Sequence, residues 1–235
     1  MSEIVAGERP LSYPSIAVIM AAYNEEEGVG PTLAELSEIL DDQFYLVVDG
    51  NSADRTVEIA KELGAEVFLQ EGCGKGKAIS QAIEYMPHNP KYVIFIDADF
   101  TYPAKYLLDM IRILEENPSV GMVLGNRFNH MLTPAAMKNP FYMGNRFLAI
   151  AQHFLNGIDL NDPLTGLRVI RWKILKGWKP KSQGFGVEAE MNYLVERHGY
   201  QIVEVSIPYR ARLGEKKLKL RDGFFILKRI IAESL

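Results

Sequence analysis

The strongest constraint on this chain is a regular alternation, over its first hundred residues, of short branched apolar runs with segments patterned as helices. Ile16, Ala17, Val18, Ile19 and Met20 form one such run, apolar at every position and too short for a buried helix, which is the pattern of a buried strand. Asn24 with Glu25, Glu26 and Glu27 then offers a helix cap and an acidic first turn, ahead of Leu33, Leu36, Ile39 and Leu40 at helical spacing. Further strands are predicted over residues 44–48, 66–69 and 92–96, with helices after Ser52-Ala53-Asp54 and over residues 77–85. Strands and helices alternating at these distances imply an α/β fold with a largely parallel sheet. Ligands gather at the carboxyl ends of strands in such sheets. Four polar features fall there: Tyr23-Asn24-Glu25, Asp49, the 72–77 loop and the Asp97/Asp99 pair.

Beyond residue 125 the pattern changes to apolar helical segments near 140–156 and 186–198, a strand at 202–205, a basic run over 210–221 and an amphipathic helix over 222–235. With no repeat, low-complexity tract or linker, one domain over 1–235 is the simplest organisation. Its halves differ in charge. Residues 1–125 hold 21 acidic and 8 basic side chains and residues 126–235 hold 9 and 18, so −13 and +9 make the net −4. A basic half suits an anionic partner, but nucleic acid is not expected because no binding motif accompanies the charge. The single cysteine, Cys73, precludes an internal disulfide and suits a reducing compartment. Residues 1–14 lack the basic and apolar regions of a signal peptide, and no apolar run reaches the ~18 residues of a spanning helix. A cytoplasmic protein, soluble or peripheral on a membrane, is therefore expected.

Asp97 and Asp99 flank one small residue directly after an apolar strand. Two such carboxylates repel each other unless they share a cation. Oxygen ligands of this kind suit Mg²⁺ or Mn²⁺, held through one or two carboxylates plus substrate phosphates. Asp49 either accepts hydrogen bonds from a base or ribose or makes an Asx turn toward Ser52 and Asp54. The 72–77 loop holds three glycines and two lysines before a helix, so backbone N–H groups and lysine charge can meet phosphate there, although it is not a Walker A loop. Asp162 and Glu188 each read as a general base or as a partner for Arg168 or Arg171. His88, His130, His153 and His198 show no zinc spacing, and there is no Gly-x-Ser-x-Gly elbow.

Taken in order, Ala22-Tyr23-Asn24-Glu25, residues 47–56 (Val-Val-Asp-Gly-Asn-Ser-Ala-Asp-Arg-Thr), Gly74-Lys75-Gly76 and Asp97-Ala98-Asp99 resemble the motifs of the family 2 glycosyltransferases of the GT-A fold. The second half is similar to the dolichyl-phosphate mannosyltransferase, or polyprenyl-phosphate glycosyltransferase, branch. Gly125-Asn126-Arg127-Phe128, the stretch from Asp162 to Arg168, Gly184-Phe185 with Glu188 and Glu190, residues 204–209 and residues 212–218 carry that similarity. The resemblance implies a Rossmann-like, mixed but mostly parallel sheet flanked by helices, with a nucleotide-sugar half over about 1–125 and an acceptor half over about 126–235.

Carried over residue by residue, it implies that Ala22, Tyr23, Glu25 and Asp49 line the base and ribose of a GDP- or UDP-sugar and that Lys75 lies near this donor. Asp97 and Asp99 would hold the metal and diphosphate, and Arg127 would contact phosphate. Arg168, Arg212 and Lys217 would serve the acceptor or its phosphate, the last two in a basic loop closing over the substrates. Asp162 and Asp99 are the expected catalytic carboxylates. The implied reaction moves mannose or glucose onto a polyprenyl phosphate by inverting displacement. A soluble or polysaccharide acceptor, or a non-catalytic nucleotide-sugar-binding module, are the alternatives. Three positions depart from the pattern: Gly50 replaces a second Asp, Thr101 a metal-assisting Gln, and Lys216 the usual Ser before Lys217. Phe224, Phe225, Ile226, Leu227, Ile230 and Ile231 beside Lys228 and Arg229 suit either an anionic membrane surface or packing on the domain itself. Oligomeric state has no signal in the sequence.

Overall fold

The computed structural model describes residues 15–128 and 139–235; the 1–14 segment and His130 lie outside the described residues. The first half builds β1 (Ile16–Ala22), α1 (Glu26–Ile39), β2 (Phe44–Asp49), α2 (Thr56–Glu62), β3 (Glu66–Leu69), α3 (Lys75–Tyr85) and β4 (Tyr92–Phe95). A 3₁₀ turn at Ala104–Tyr106 leads into α4 (Leu107–Glu116) and β5 (Val120–Asn126). The second half adds α5 (Pro140–Asn156), β6 (Arg168–Arg171), the short α6 (Trp172–Leu175), α7 (Val187–Arg197), β7 (Gln201–Ser206) and α8 (Asp222–Glu233).

These strands form one seven-stranded sheet in the order β3-β2-β1-β4-β6-β5-β7. β1, β2, β3 and β4 are mutually parallel, as are β5 and β7, while β6 runs antiparallel to both β4 and β5. The sheet is thus mixed and mostly parallel, as the sequence implied. One face is covered by α1, α2 and α4 over a core that includes Val18, Met20, Leu36, Tyr92 and Met110, and the other by α3, α6 and α7 over Ile19, Leu46, Val93, Met122 and Met191.

Two strands escaped the apolar pattern. β5 is buried throughout, but glycines at 121 and 125 interrupt its apolar run. They are there because a Cβ at Gly121 would lie 2.5 Å from Tyr200 Cβ, and one at Gly125 2.5 Å from Ile207 Cδ1. β6 is four residues long and begins and ends with arginine, so charge hides it.

The caps also differ from expectation. Asn24 does not cap α1. Its backbone is left-handed, with φ 51°, and its side chain accepts from Ala53 N at 2.8 Å, tying the turn after β1 to the turn after β2. Register explains this, since Ala22 is paired with Asp49 and the two strand ends stand side by side. Asp54 does serve the first turn of α2, its Oδ1 accepting from Thr56 N at 3.0 Å.

Gly28, in the first turn of α1, sets how closely that helix approaches the Asp97–Asp99 turn. A Cβ there would lie 2.5 Å from Ala98 O and 2.7 Å from Asp99 Cα. Gly28→Ala is therefore expected to cost about 1–3 kcal/mol, read as a drop of several degrees in Tm. Gly144→Ala, which meets nothing within 4 Å, should leave Tm unchanged or raise it slightly.

Candidate active site

The carboxyl ends of β1, β2 and β4 lie together, and the loops leaving them carry most of the chemistry. Asp97 and Asp99 follow β4. Asp99 is buried, its Oδ1 accepting from Thr101 Oγ1 at 2.5 Å and Thr101 N at 3.2 Å, its Oδ2 from Arg212 Nη1 at 2.5 Å. Asp97 accepts from Lys75 Nζ at 2.6 Å. The same ammonium reaches Glu188 Oε1, at the start of α7, at 2.8 Å.

Lys75 opens α3, and its loop is braced from the second half. Lys77 N donates to Gln183 O at 3.1 Å, and only glycine fits at position 76, where a Cβ would sit 2.8 Å from the Ser182 carbonyl carbon. Gly74, with φ 100°, takes a conformation few other residues adopt.

The chain between β7 and α8 crosses this edge as a basic strap. Arg210 N donates to Thr101 O at 3.0 Å and Leu213 N to Asp99 O at 3.1 Å. Arg212 pairs with both Asp99 and Glu25. Arg210 makes a two-pronged pair with Glu35, and Lys217 donates to Asn24 O at 3.1 Å beside the exposed Tyr23 ring. Between the strap and the start of α1 lies a cleft of about 370 Å³ lined by Asn24, Ala53, Asp54, Gly214 and Lys217.

Electrostatics follow from this crowding. Burial pushes Glu25 up to about 7, against the opposing Arg212 charge and with help from Asp99. Burial also raises Asp99, and the Asp97 charge adds to it. Asp97 goes the other way: burial opposes ionisation, but Lys75 outweighs it and holds the carboxyl below its usual range. Lys75 is kept protonated against its own burial by Asp97 and Glu188. Glu25 Oε2 is buried with no hydrogen-bond partner. Among the described residues no three His, Cys, Asp or Glu side chains form a ready metal cluster. The pair Asp97/Asp99 nevertheless supplies oxygen-only donors, and with Glu25 and Glu188 four carboxylates share two cations, Lys75 and Arg212, which fits a hard divalent cation completed by phosphate oxygens.

Ala22, Tyr23, Glu25, Lys75, Asp97, Asp99, Arg212 and Lys217 are thus brought together. Arg127 and Asp162 lie beside them as a unit. Arg127 Nε and Nη2 meet the two Asp162 oxygens at 2.7 Å each, and the guanidinium stacks 5.2 Å from the Tyr209 ring centroid. Asp162 is wholly buried, and it also accepts from Arg127 N and Asn145 Nδ2. A carboxylate so occupied orients Arg127 and is poorly placed to take a proton.

Two expected site residues have their polar atoms committed within the protein. Asp49 is fully buried with its oxygens bonded to Ser52 N at 2.8 Å and Ser52 Oγ at 2.5 Å, the Asx-turn alternative, so it holds the turn that carries Asn51 and Ser52. Arg168 is 1 % exposed and donates to Thr165 O, Pro163 O, Glu188 O and Asn192 Oδ1, which engages four of its five N–H groups within the core and away from any acceptor phosphate. A strand residue facing inward from β6 has only the core to meet, and the carbonyls of the 163–165 turn satisfy its charge. Arg171 is likewise spent on Val120 O and Leu114 O.

Sequence reasoning gave no role to Tyr102, whose hydroxyl accepts from Gly166 N at 2.7 Å, or to Glu204, whose carboxylate accepts from Asp162 N and Asn161 N. A glutamate interrupting the apolar β7 was the available signal.

A family model, glycosyl transferase family 2, matches residues 17–176. The chain belongs to that family. Within it, the chain is 36 % identical over 211 residues to a dolichyl-phosphate hexose transferase of Haloferax volcanii, covering 88 % of each. It is 27 % identical over 218 residues to an undecaprenyl-phosphate mannosyltransferase of Micrococcus luteus, covering 86 % of this chain and 87 % of that one. Among solved structures, glucosyl-3-phosphoglycerate synthase of Mycobacterium tuberculosis, in complex with Mn²⁺, UDP-glucose and phosphoglyceric acid, superposes with a TM-score of 0.74 at 21 % identity, over 94 % of this chain and 80 % of that one. The glycosyltransferase fold is therefore shared, and this chain is a family 2 glycosyltransferase. The family model ends before Glu188 and the strap, whereas the alignments with these relatives extend beyond it.

Arg168→Met would strip four buried acceptors of their donor. It is expected to cost at least about 3 kcal/mol in chemical unfolding, whereas a phosphate-binding arginine at a surface would cost little stability when replaced.

Proposed function

We propose that this glycosyltransferase moves a hexose from a nucleotide-sugar to a polyprenyl phosphate. The relatives support the acceptor class, since two of those above carry a polyprenyl or dolichyl phosphate in their names. The observation that carries the reading is the Asp97/Asp99 pair, held at a strand end between two cations from different elements, Lys75 and Arg212. Such cations, already desolvated and aimed at negative charge, are what a departing diphosphate requires.

In this mechanism Tyr23, Glu25 and Lys217 border the nucleoside. Asp97 and Asp99 would hold Mg²⁺ or Mn²⁺, which when bound neutralises charge on the diphosphate; the Mn²⁺ in the structural neighbour is consistent with this choice. Lys75 and Arg212 exchange their carboxylate partners for diphosphate oxygens. Arg127, locked by Asp162, receives the acceptor phosphate. One oxygen of that phosphate attacks the anomeric carbon as the bond to the diphosphate oxygen breaks on the opposite face, so configuration inverts. A phosphate monoester has a second pKa of about 6 and is already a competent nucleophile near neutrality. A strong general base is then unnecessary, and Asp162 acts by orienting Arg127.

Thermal-shift measurements with GDP- and UDP-sugars should show a rise in Tm that requires Mg²⁺ or Mn²⁺, and Asp99→Asn should abolish the metal-dependent part and lower kcat at least about 100-fold. A panel in which no nucleotide sugar moves Tm would overturn the reading.

Asp162→Asn separates its two possible roles. An orienting carboxylate predicts a KM for the phosphate acceptor raised about tenfold with kcat nearly kept. A loss of about 10³ in kcat at constant KM would make Asp162 a base instead.

A further inference from the structure

Glu190, near the start of α7, is 4 % exposed, and no step of the proposed reaction uses it. A buried carboxylate is costly unless its oxygens are hydrogen-bonded. Both are: Oε1 accepts from Lys181 N at 2.7 Å and Oε2 from Ser182 N at 2.8 Å. The Arg229 guanidinium of α8 lies 3.8 Å from Oε2 and also pairs with Glu233. These bonds do not cap α7, which begins at Val187; they tie down the turn that precedes it.

That turn is the wall against which the Lys75 loop is built. Lys77 N donates to Gln183 O at 3.1 Å. A Cβ at Gly76 would sit 2.8 Å from the Ser182 carbonyl carbon, and one at Gly74 3.2 Å from that of Gln183, so the two backbones touch with no side chain between them. From the other side Gln70, itself buried, donates from Nε2 to Gly74 O at 3.0 Å. Gly186 lets α8 close on the same turn, because a Cβ there would meet Ser182 Oγ at 2.7 Å and Arg229 Cβ at 3.2 Å. A shift of the 181–183 backbone therefore has to move the start of α3, and Lys75 is the first residue of that helix.

The ammonium at stake is placed within narrow limits, with Lys75 Nζ 2.6 Å from Asp97 and 2.8 Å from Glu188. Charge-assisted bonds depend steeply on such distances, and a misplacement of about 1 Å in a site costs on the order of 10²-fold in rate. The brace calls for a carboxylate. Two N–H donors meet its two oxygens, whereas a glutamine in the same place has one accepting oxygen and turns its own NH₂ toward the other donor.

We propose that Glu190 is a positioning residue, which through the backbone of 181–183 sets where Lys75 meets the diphosphate of the donor. The proposal rests on the nucleotide-sugar reading for its purpose, and its test has one arm that needs no ligand. In that arm amide hydrogen exchange is followed in the full chain. Glu190→Gln should speed exchange at Ser182 and Lys77 at least about tenfold, while α4 and β5 keep wild-type protection. Glu190→Asp, the milder change, should move the same amides less. In the second arm, calorimetry with UDP and GDP in the presence of Mn²⁺ should show affinity lowered at least about tenfold by Glu190→Gln. Lys75→Gln should itself weaken binding, and adding Glu190→Gln to it should cost less than about twofold more, because a residue that acts only through another adds nothing once that partner is gone. Full additivity in the double variant overturns the proposal. So does exchange at Lys77 that stays at the wild-type rate in both Glu190 variants. A wild type that binds neither diphosphate removes the nucleotide-sugar reading, and the exchange arm alone then decides the brace.

Discussion

Two carboxylates one residue apart at the end of a buried strand are a problem in charge that the surrounding structure has to solve. Asp99 alone is disfavoured as an anion by burial and by its neighbour. The remedy comes from distant parts of the chain. Lys75 arrives from the start of α3 and Arg212 from the strap, 113 residues beyond Asp99. The glycines at 74 and 76, the backbone of 182–183 and the run of strap-to-loop hydrogen bonds all serve to hold those two cations where the negative charge is. Redirecting such a cation toward a third anion leaves its carboxylates uncompensated unless another cation takes its place beside them. In the proposed reaction the departing diphosphate competes for the same ammonium and guanidinium groups.

Much of the Asp97/Asp99 side of the site was legible because its signals are local. Each of the four motifs sits directly after an apolar run, and a parallel sheet places the ends of such runs along one edge. The sheet's second half was less legible. β5 carries glycines that its neighbours demand, and β6 carries arginines whose charge is satisfied by backbone carbonyls three to five residues away or across the core. Neither compensation leaves a trace in hydropathy. The partners of Asp49 and Arg168 were hidden for a related reason. A polar residue at a strand end looks the same in sequence whether it faces a ligand or ties down its own loop, and only the count of partners, two bonds from Ser52 in one case and four acceptors in the other, separates them.

The Arg127–Asp162 unit shows how a second group of residues is tuned through neighbours. Tyr209 stacks on the guanidinium, Tyr102 holds Gly166 N, and Glu204 holds the N–H groups of Asn161 and Asp162. The 161–166 turn is consequently fixed on both flanks before any ligand arrives, which limits the reorganisation left to pay on binding.

The position of β6 has a consequence for how such a chain can be cut or recombined. Although it comes late in the sequence, it is inserted between β4 and β5 and supplies the antiparallel partner for Tyr92–Phe95. A fragment ending near residue 125, where composition changes, would carry the Asn24, Lys75 and Asp97/Asp99 motifs and still leave the backbone of β4 as an open apolar edge. The chemical border between the halves and the mechanical border of the sheet therefore do not coincide. Exchange of C-terminal segments between relatives has to be made downstream of Arg171, or it opens the middle of the sheet.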